Sequence, residues 1–222
     1  MEEILKIGVV DDDEIKVTQI ITRLIQGIDG ATPEKRARYS QYQFVPIEVN
    51  IKDNLEEMIK HILELELDCL LIDYKLSSYE NVDYTGTDLA KAVDKVLFEF
   101  PLFILTSYDD DLFSNEIFNA YQVFDFYRYL NEDQERVELH FKMIEQILKT
   151  QKQKEEWERQ LRKLLPLAGT SDDIDSRILE LDSKLERSMD GGHALTDKAR
   201  KDLSSNKLNE LLEMIDKLLD KE

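Results

Sequence analysis

Asp11, Asp12 and Asp13 stand in a row directly after an apolar run, in KIGVVDDDEIKV. Like charges side by side repel, and carboxylates are not buried without partners. An acidic triplet alone is ordinarily a solvated loop. Two other features change its meaning. Asp73 closes a second apolar run, in LLIDYKL, and Thr106 with Ser107 closes a third, in FILTSYDD. Neighbouring strands lie about 4.8 Å apart, so three such strand ends would bring these side chains together. Several carboxylates in one crevice need a cation to join them. Mg²⁺ suits carboxylate and water oxygens and leaves positions open for phosphate oxygens. The pattern therefore points to a divalent-cation site at the strand ends.

The elements that must position these groups are readable in the first half of the chain. ILKIGVV reads as a strand. Apolar residues at 17, 20, 21, 24, 25 and 28 make one face of a helix over Ile15 to Ile28. FVPIEVNI is a second, shorter strand, and Pro46 suits an edge because it removes a ladder donor. Leu55 to Leu67 reads as a helix. DCLLID is a continuous apolar run, as in a parallel strand buried on both faces, with Cys69 as a small hydrophobe. Thr87 to Phe98 reads as a helix, PLFILTS as another buried strand, Asp111 to Tyr121 as a helix and VFDFYRYL as a fifth strand. Strands alternating with helices predict an α/β fold, a five-stranded doubly wound parallel sheet. In such sheets ligands bind outside the carboxyl ends of the strands, at the switch point in strand order. The acids fall at that place.

The second half has no strand pattern, which predicts two domains, 1–131 and 132–222. A long helix is expected from Gln134 to Leu165. Val137, Phe141, Ile144 and Leu148 give its first part an apolar face, while KTQKQKEEWE is polar nearly all round. Pro166 and Gly169 break it. Ser171 is a candidate N-cap for a further helix with apolar residues at 174, 178, 181 and 185, a two-helix seam. A turn at MDGGHA and a last helix with a stripe from Leu208 to Leu219 complete an expected helical hairpin or small bundle. Trp157 is expected to anchor its packing.

Bulk composition excludes several functions. The 222 residues carry a formal net charge of −19. Residues 1–131 hold 26 acidic against 12 basic residues, so the excess sits in the half that carries the acidic motif. A nucleic-acid binder needs a cationic face, and an anionic membrane surface is disfavoured for the same reason. No apolar run approaches membrane-spanning length. Met1-Glu2-Glu3 is acidic and lacks a signal-peptide core, and Cys69 stands alone, so a cytoplasmic location is expected. His61, His140 and His193 are scattered, with no second ligand at metal spacing.

VVDDDE, LLIDYKL, the Gly of YTGTDLA and FILTS, in that order, resemble the receiver domain of bacterial two-component response regulators, over roughly residues 4–131. The resemblance implies the receiver strand order 2-1-3-4-5. It implies that Asp73 accepts a phosphoryl group from a histidine kinase or phosphotransfer protein. It implies that Asp11, Asp12, Asp73 and a backbone carbonyl near Lys75 hold Mg²⁺. Thr106 would bind the new phosphoryl oxygen, and Phe126 or Tyr127 would be the rotamer-switching aromatic. Two departures stand out. The family pattern has a Lys at the end of strand five, whereas FYRYLNED offers Arg128 as the cation nearby. The segments 29–43 and 74–85 are longer than usual. The acidic helical tail points to output through a protein effector or self-association. Two other readings compete. One is a phosphorylation-independent pseudo-receiver. The other is a haloacid-dehalogenase-type phosphatase, with Asp11 as nucleophile and Asp13 as general acid.

Overall fold

The computed structural model describes residues 3–76, 82–107 and 122–190. The expected helix at 111–121, the turn at 189–194 and the last helix lie wholly or largely outside these residues. Five strands form one sheet: β1 (Glu3–Val10), β2 (Tyr42–Glu48), β3 (Cys69–Asp73), β4 (Leu102–Thr106) and β5 (Val123–Asp125). The order is β2-β1-β3-β4-β5 and every pair is parallel. This is the flavodoxin-like, receiver-like arrangement, in which β1 and β3 flank the switch point. Pro46 sits on the edge strand β2, where a missing N–H leaves no gap in the sheet interior.

Strand alternation builds two cores. On one face, Leu5, Ile7, Val9, Leu71, Phe103, Leu105 and Phe124 pack with helix α1 (Glu14–Ile25) through Val17, Ile20 and Leu24. On the other, Val10, Leu70, Ile72, Leu102 and Ile104 pack with α3 (Leu55–Glu64) and α4 (Gly86–Val96). Period-two alternation with both faces covered explains why β3 and β4 read as unbroken apolar runs.

One expectation is overturned and one segment gains an element. Strand five does not continue through VFDFYRYL. It ends at Asp125, whose carboxylate caps helix α5 (Phe126–Asn131) by accepting from the Arg128 N–H at 2.6 Å. Phe126 and Tyr129, three apart, are the buried face of that turn. The alternating aromatics imitated a strand. The long segment before β2 also contains a helix, α2 (Pro33–Tyr39). Its start is signalled by Thr32, whose hydroxyl accepts from Lys35 N–H, followed by proline at the first helical position.

The chain divides into two compact units, Met1–Lys152 and Gln153–Glu222. The first takes in residues 1–131 and also the opening turns of α6 (Asp133–Leu164). Val137, Leu139, Phe141, Met143, Ile144 and Ile147 of α6 join the core on the α1 face. His140 is fully buried there. Its Nδ1 contacts the Gly27 carbonyl at 2.5 Å, and a carbonyl only accepts, so Nδ1 carries the proton. Nε2 then accepts from the Tyr129 hydroxyl at 3.1 Å. In the second unit, Trp157, Leu181 and Leu185 are buried. Ser171 Oγ accepts from Ile174 N–H at the start of α7 (Asp172–Asp190). Gln160 bonds Arg177, and Lys154 reaches the Ser188 carbonyl, the pairing of an antiparallel hairpin. No helix among the described residues is long and apolar enough to cross a membrane.

Burial pushes the His140 pKa down to about 4, aided by the nearby Arg136 charge, while the Gly27 carbonyl pulls the other way. The unfolded chain takes up this proton near pH 6.5 and the folded chain does not. Stability from His140 is therefore complete above that pH and is lost as pH falls toward 4, by about 3 kcal/mol. At pH 7, His140→Leu is expected to melt below wild type, because Tyr129 and Gly27 lose a partner. In melts from pH 7.5 to 4.5 that gap should narrow steadily. A constant gap would show that His140 does not titrate as described.

Candidate functional site

The register of the sheet assembles the site. Val10 pairs with Ile72, so Asp11 and Asp73 are the next residues of two adjacent strands. Asp73 pairs with Leu105, which places Thr106 one residue further along. Asp11 and Asp73 also share strand parity with Val9 and Leu71, the face on which α1 packs. Carboxylate oxygens of Asp11, Asp12 and Asp73 all lie within 4.8 Å of one another. Asp11 and Asp73 are buried and Asp12 is half-buried. Asp13 turns to another task. It caps α1, its Oδ1 accepting from Ile15 N–H at 2.9 Å and from Lys16 N–H at 3.4 Å.

Partners hold each acid. Asp11 Oδ1 accepts from the Asp13 N–H at 2.9 Å, and Asp73 Oδ2 accepts from the Lys75 N–H at 3.0 Å. The other oxygens face a cation that the sequence reading passed over. Lys16 Nζ stands 3.6 Å from Asp73 Oδ1 and 3.8 Å from Asp11 Oδ2. It also lies 5.4 Å from the centre of the Phe126 ring. Lys16 belongs to the first turn of α1, and that turn overhangs the strand end from which the chain has just emerged. Its position three residues beyond the Asp triplet was the available signal.

Arg128 is placed elsewhere. It lies on α5, is exposed, and pairs with Glu132 and Glu135. Tyr127 is exposed, whereas Phe126 is buried. Thr106 is fully buried at the end of β4. The neighbouring Ser107 hydroxyl is buried with no hydrogen-bond partner among the described residues.

No family model matches the chain, and no curated protein matches it. Among solved structures it is similar to the anti-anti-sigma factor PhyR from Bartonella quintana. That likeness has 14% identity and a TM-score of 0.41, covering 69% of this chain and 51% of that one. The chain thus spans about half the length of the PhyR structure. It is also similar to a yeast Spc42 trimeric coiled-coil segment fused to another protein, at 14% identity and a TM-score of 0.42, covering 82% of this chain and 94% of that one. Likenesses this remote carry no argument, and the fold stands on its own strand order and register.

The electrostatics fit a divalent cation. Burial first, and then the Asp73 charge, push the Asp11 pKa up to about 7. Burial likewise raises Asp73, with Lys16 and the Lys75 N–H pulling it back. Asp11 Oδ2 is buried and accepts no hydrogen bond among the described residues, the Lys16 ammonium being too distant for one. An all-oxygen donor set with an unbonded carboxylate oxygen suits Mg²⁺ or a similar hard ion.

The end of β3 is pinned from below by the start of α4. Gly86 N–H donates to the Tyr74 carbonyl at 3.0 Å. A Cβ at Gly86 would stand 1.8 Å from the Asp73 carbonyl oxygen, so only glycine allows this approach. Thr85 and Asp88 form a reciprocal capping box that fixes the helix start, and the Thr85 N–H and hydroxyl hold the Asp88 carboxyl below its usual range.

Two variants test this arrangement. Gly86→Ala must push the Asp73 backbone aside, and overpacking of this kind costs about 1–3 kcal/mol or more. Its melting temperature should fall, and its Mg²⁺ affinity, measured calorimetrically, should fall with it. Asp11→Asn removes a buried charge that its surroundings disfavour. Without metal at pH 8 it should melt above wild type, by about 2–4 °C for each kcal/mol gained. Added Mg²⁺ should then raise the melting temperature of wild type more than that of the variant.

Proposed function

We propose that the protein is a receiver-type signalling protein that accepts a phosphoryl group on Asp73. The observation that carries this reading is the meeting of Asp11, Asp12 and Asp73 at the carboxyl ends of β1 and β3. In the proposed step, the Asp73 carboxylate attacks the phosphorus of a phosphohistidine on a kinase or phosphotransfer protein. The P–N bond breaks, the imidazole nitrogen takes a proton, and an aspartyl phosphate forms. Asp11, Asp12 and Asp73, with a backbone carbonyl near Lys75, would hold Mg²⁺. That ion would neutralise charge on the transferring group. Thr106 would donate its hydroxyl proton to a phosphoryl oxygen. The chain is thus a substrate of phosphotransfer rather than a turnover enzyme.

Output is assigned to protein–protein contacts of the helical C-terminal part, in a cytoplasmic setting. The charge of −19 argues against nucleic acid as the target. The phosphatase alternative needs Asp13 as a general acid, but Asp13 spends its carboxylate capping α1. The phosphorylation-independent alternative draws on the absence of a strand-five Lys. Lys16 nevertheless supplies a cation beside Asp73.

Incubation with acetyl phosphate and Mg²⁺, followed by intact-mass measurement, tests the reading. Wild type should gain one phosphoryl mass, and chelation of the metal should abolish the gain. Asp73→Asn should gain none. An equal gain in that variant would remove Asp73 from the acceptor role.

A further inference from the structure

We propose that Lys16, carried by α1, is the cation that binds the phosphoryl group on Asp73. This inference rests on the phosphoacceptor reading above and adds to it the residue that meets the incoming charge. A transferring phosphoryl group spreads negative charge over three oxygens, and its stabilisation is chiefly electrostatic. A cation must therefore stand within contact distance of the acceptor oxygen before the group arrives.

Three observations assign this task to Lys16. The first is distance: Nζ lies 3.6 Å from Asp73 Oδ1, the oxygen left unused by the Lys75 N–H. The second is balance. Asp11, Asp12 and Asp73 bring three negative charges, which one ammonium and one divalent cation would cancel. The ammonium and the metal are then complementary occupants of one carboxylate cluster. The third is freedom to follow the phosphoryl oxygens. The Lys16 side chain is 22% exposed, its ammonium rests near the Phe126 ring, and its contacts to both acids exceed hydrogen-bond length. A lysine ammonium is a compact charge on a flexible four-carbon stem. It can turn from Asp73 Oδ1 to an oxygen of a group bonded there while keeping its proton. Arg128, by contrast, is tied to Glu132 and Glu135. Asp13 supports the geometry by fixing the first turn of α1, where its carboxylate accepts the Lys16 backbone N–H.

The test uses the full chain with Mg²⁺ and beryllofluoride, a phosphoryl mimic that bonds to a carboxylate, read by calorimetry and ¹⁹F NMR. Lys16→Met should bind the mimic at least about tenfold more weakly, the scale of a lost charge-assisted hydrogen bond. Lys16→Arg should recover part of the loss, and Arg128→Met should match wild type. Mg²⁺ binding without the mimic separates a lost contact from a damaged site. In Lys16→Met it should be unchanged or tighter, because a neighbouring positive charge has gone. Lys16→Gln repeats the experiment should the methionine variant fold poorly. Wild-type affinity for the mimic in the Lys16 variants would overturn the proposal, as would a parallel loss of Mg²⁺ binding or an equal loss in Arg128→Met. If wild type itself neither binds the mimic nor gains phosphoryl mass, the phosphoacceptor reading fails first, and the role of Lys16 fails with it.

Discussion

Everything at this site depends on carboxylates being forced together against their mutual repulsion. Asp11 and Asp73 cannot move apart, because each directly follows a strand residue locked into the ladder, Val10 against Ile72. Their burial raises the cost of charge, which is why both carboxyls are pushed upward and Asp11 reaches about 7. The apolar interior on both faces of β1 and β3 supplies the cohesion that holds them there. A structure that keeps such a cluster has a standing demand for positive charge. Lys16 meets part of it, and a hard divalent ion fits the remainder.

The surroundings of the acids act as a frame. Three backbone elements fix the geometry: the capped start of α1, the Lys75 amide under Asp73, and the start of α4 pressed against the end of β3. Each uses a short-range device with little conformational freedom, namely an Asp cap, a backbone N–H and a glycine contact. The parts left adjustable are side chains with room to move, above all the Lys16 ammonium. A rigid floor beneath a movable cation is the arrangement that the proposed phosphoacceptor role would need, a bare carboxylate giving way to a bulkier, more negative group.

The sheet was legible because buried parallel strands leave a strong signal. DCLLID and PLFILTS are apolar on both faces, and Pro46 marked an edge. The acids were legible because each ends such a run. The departures from the sequence patterns are local. Asp125 stops β5 by capping a helix, although Phe124 and Phe126 alternate as in a strand. Thr32-Pro33 opens α2 inside the long segment before β2, to which the sequence patterns assign no element. Lys16 is a different case. The family pattern puts the cation at the end of strand five, whereas proximity in a βα unit also comes from the first helical turn after the strand. That turn folds back over the strand end on whichever face its helix packs. Here α1 packs on the face that Asp11 and Asp73 share.

Phe126 gives the site a physical connection to the long helix within the first unit. The Lys16 ammonium rests near its ring, and Phe126 is the opening residue of α5. Three residues on, Tyr129 is fully buried and its hydroxyl donates to His140 of α6. Arg23 of α1 reaches the Leu130 carbonyl at 2.5 Å, so α1 and α5 are also tied directly. Movement of Lys16 toward a phosphoryl oxygen would withdraw charge from the Phe126 ring, a cation–π contact of about 0.5–2 kcal/mol. That is enough to bias an element with two nearly equal arrangements and too little to unfold a packed one. Contiguity alone does not make a signal path. The chain from Lys16 through α5 to His140 becomes one only if α5 has a second packing against α6, and the buried, neutral His140 is the contact whose exchange would reveal it.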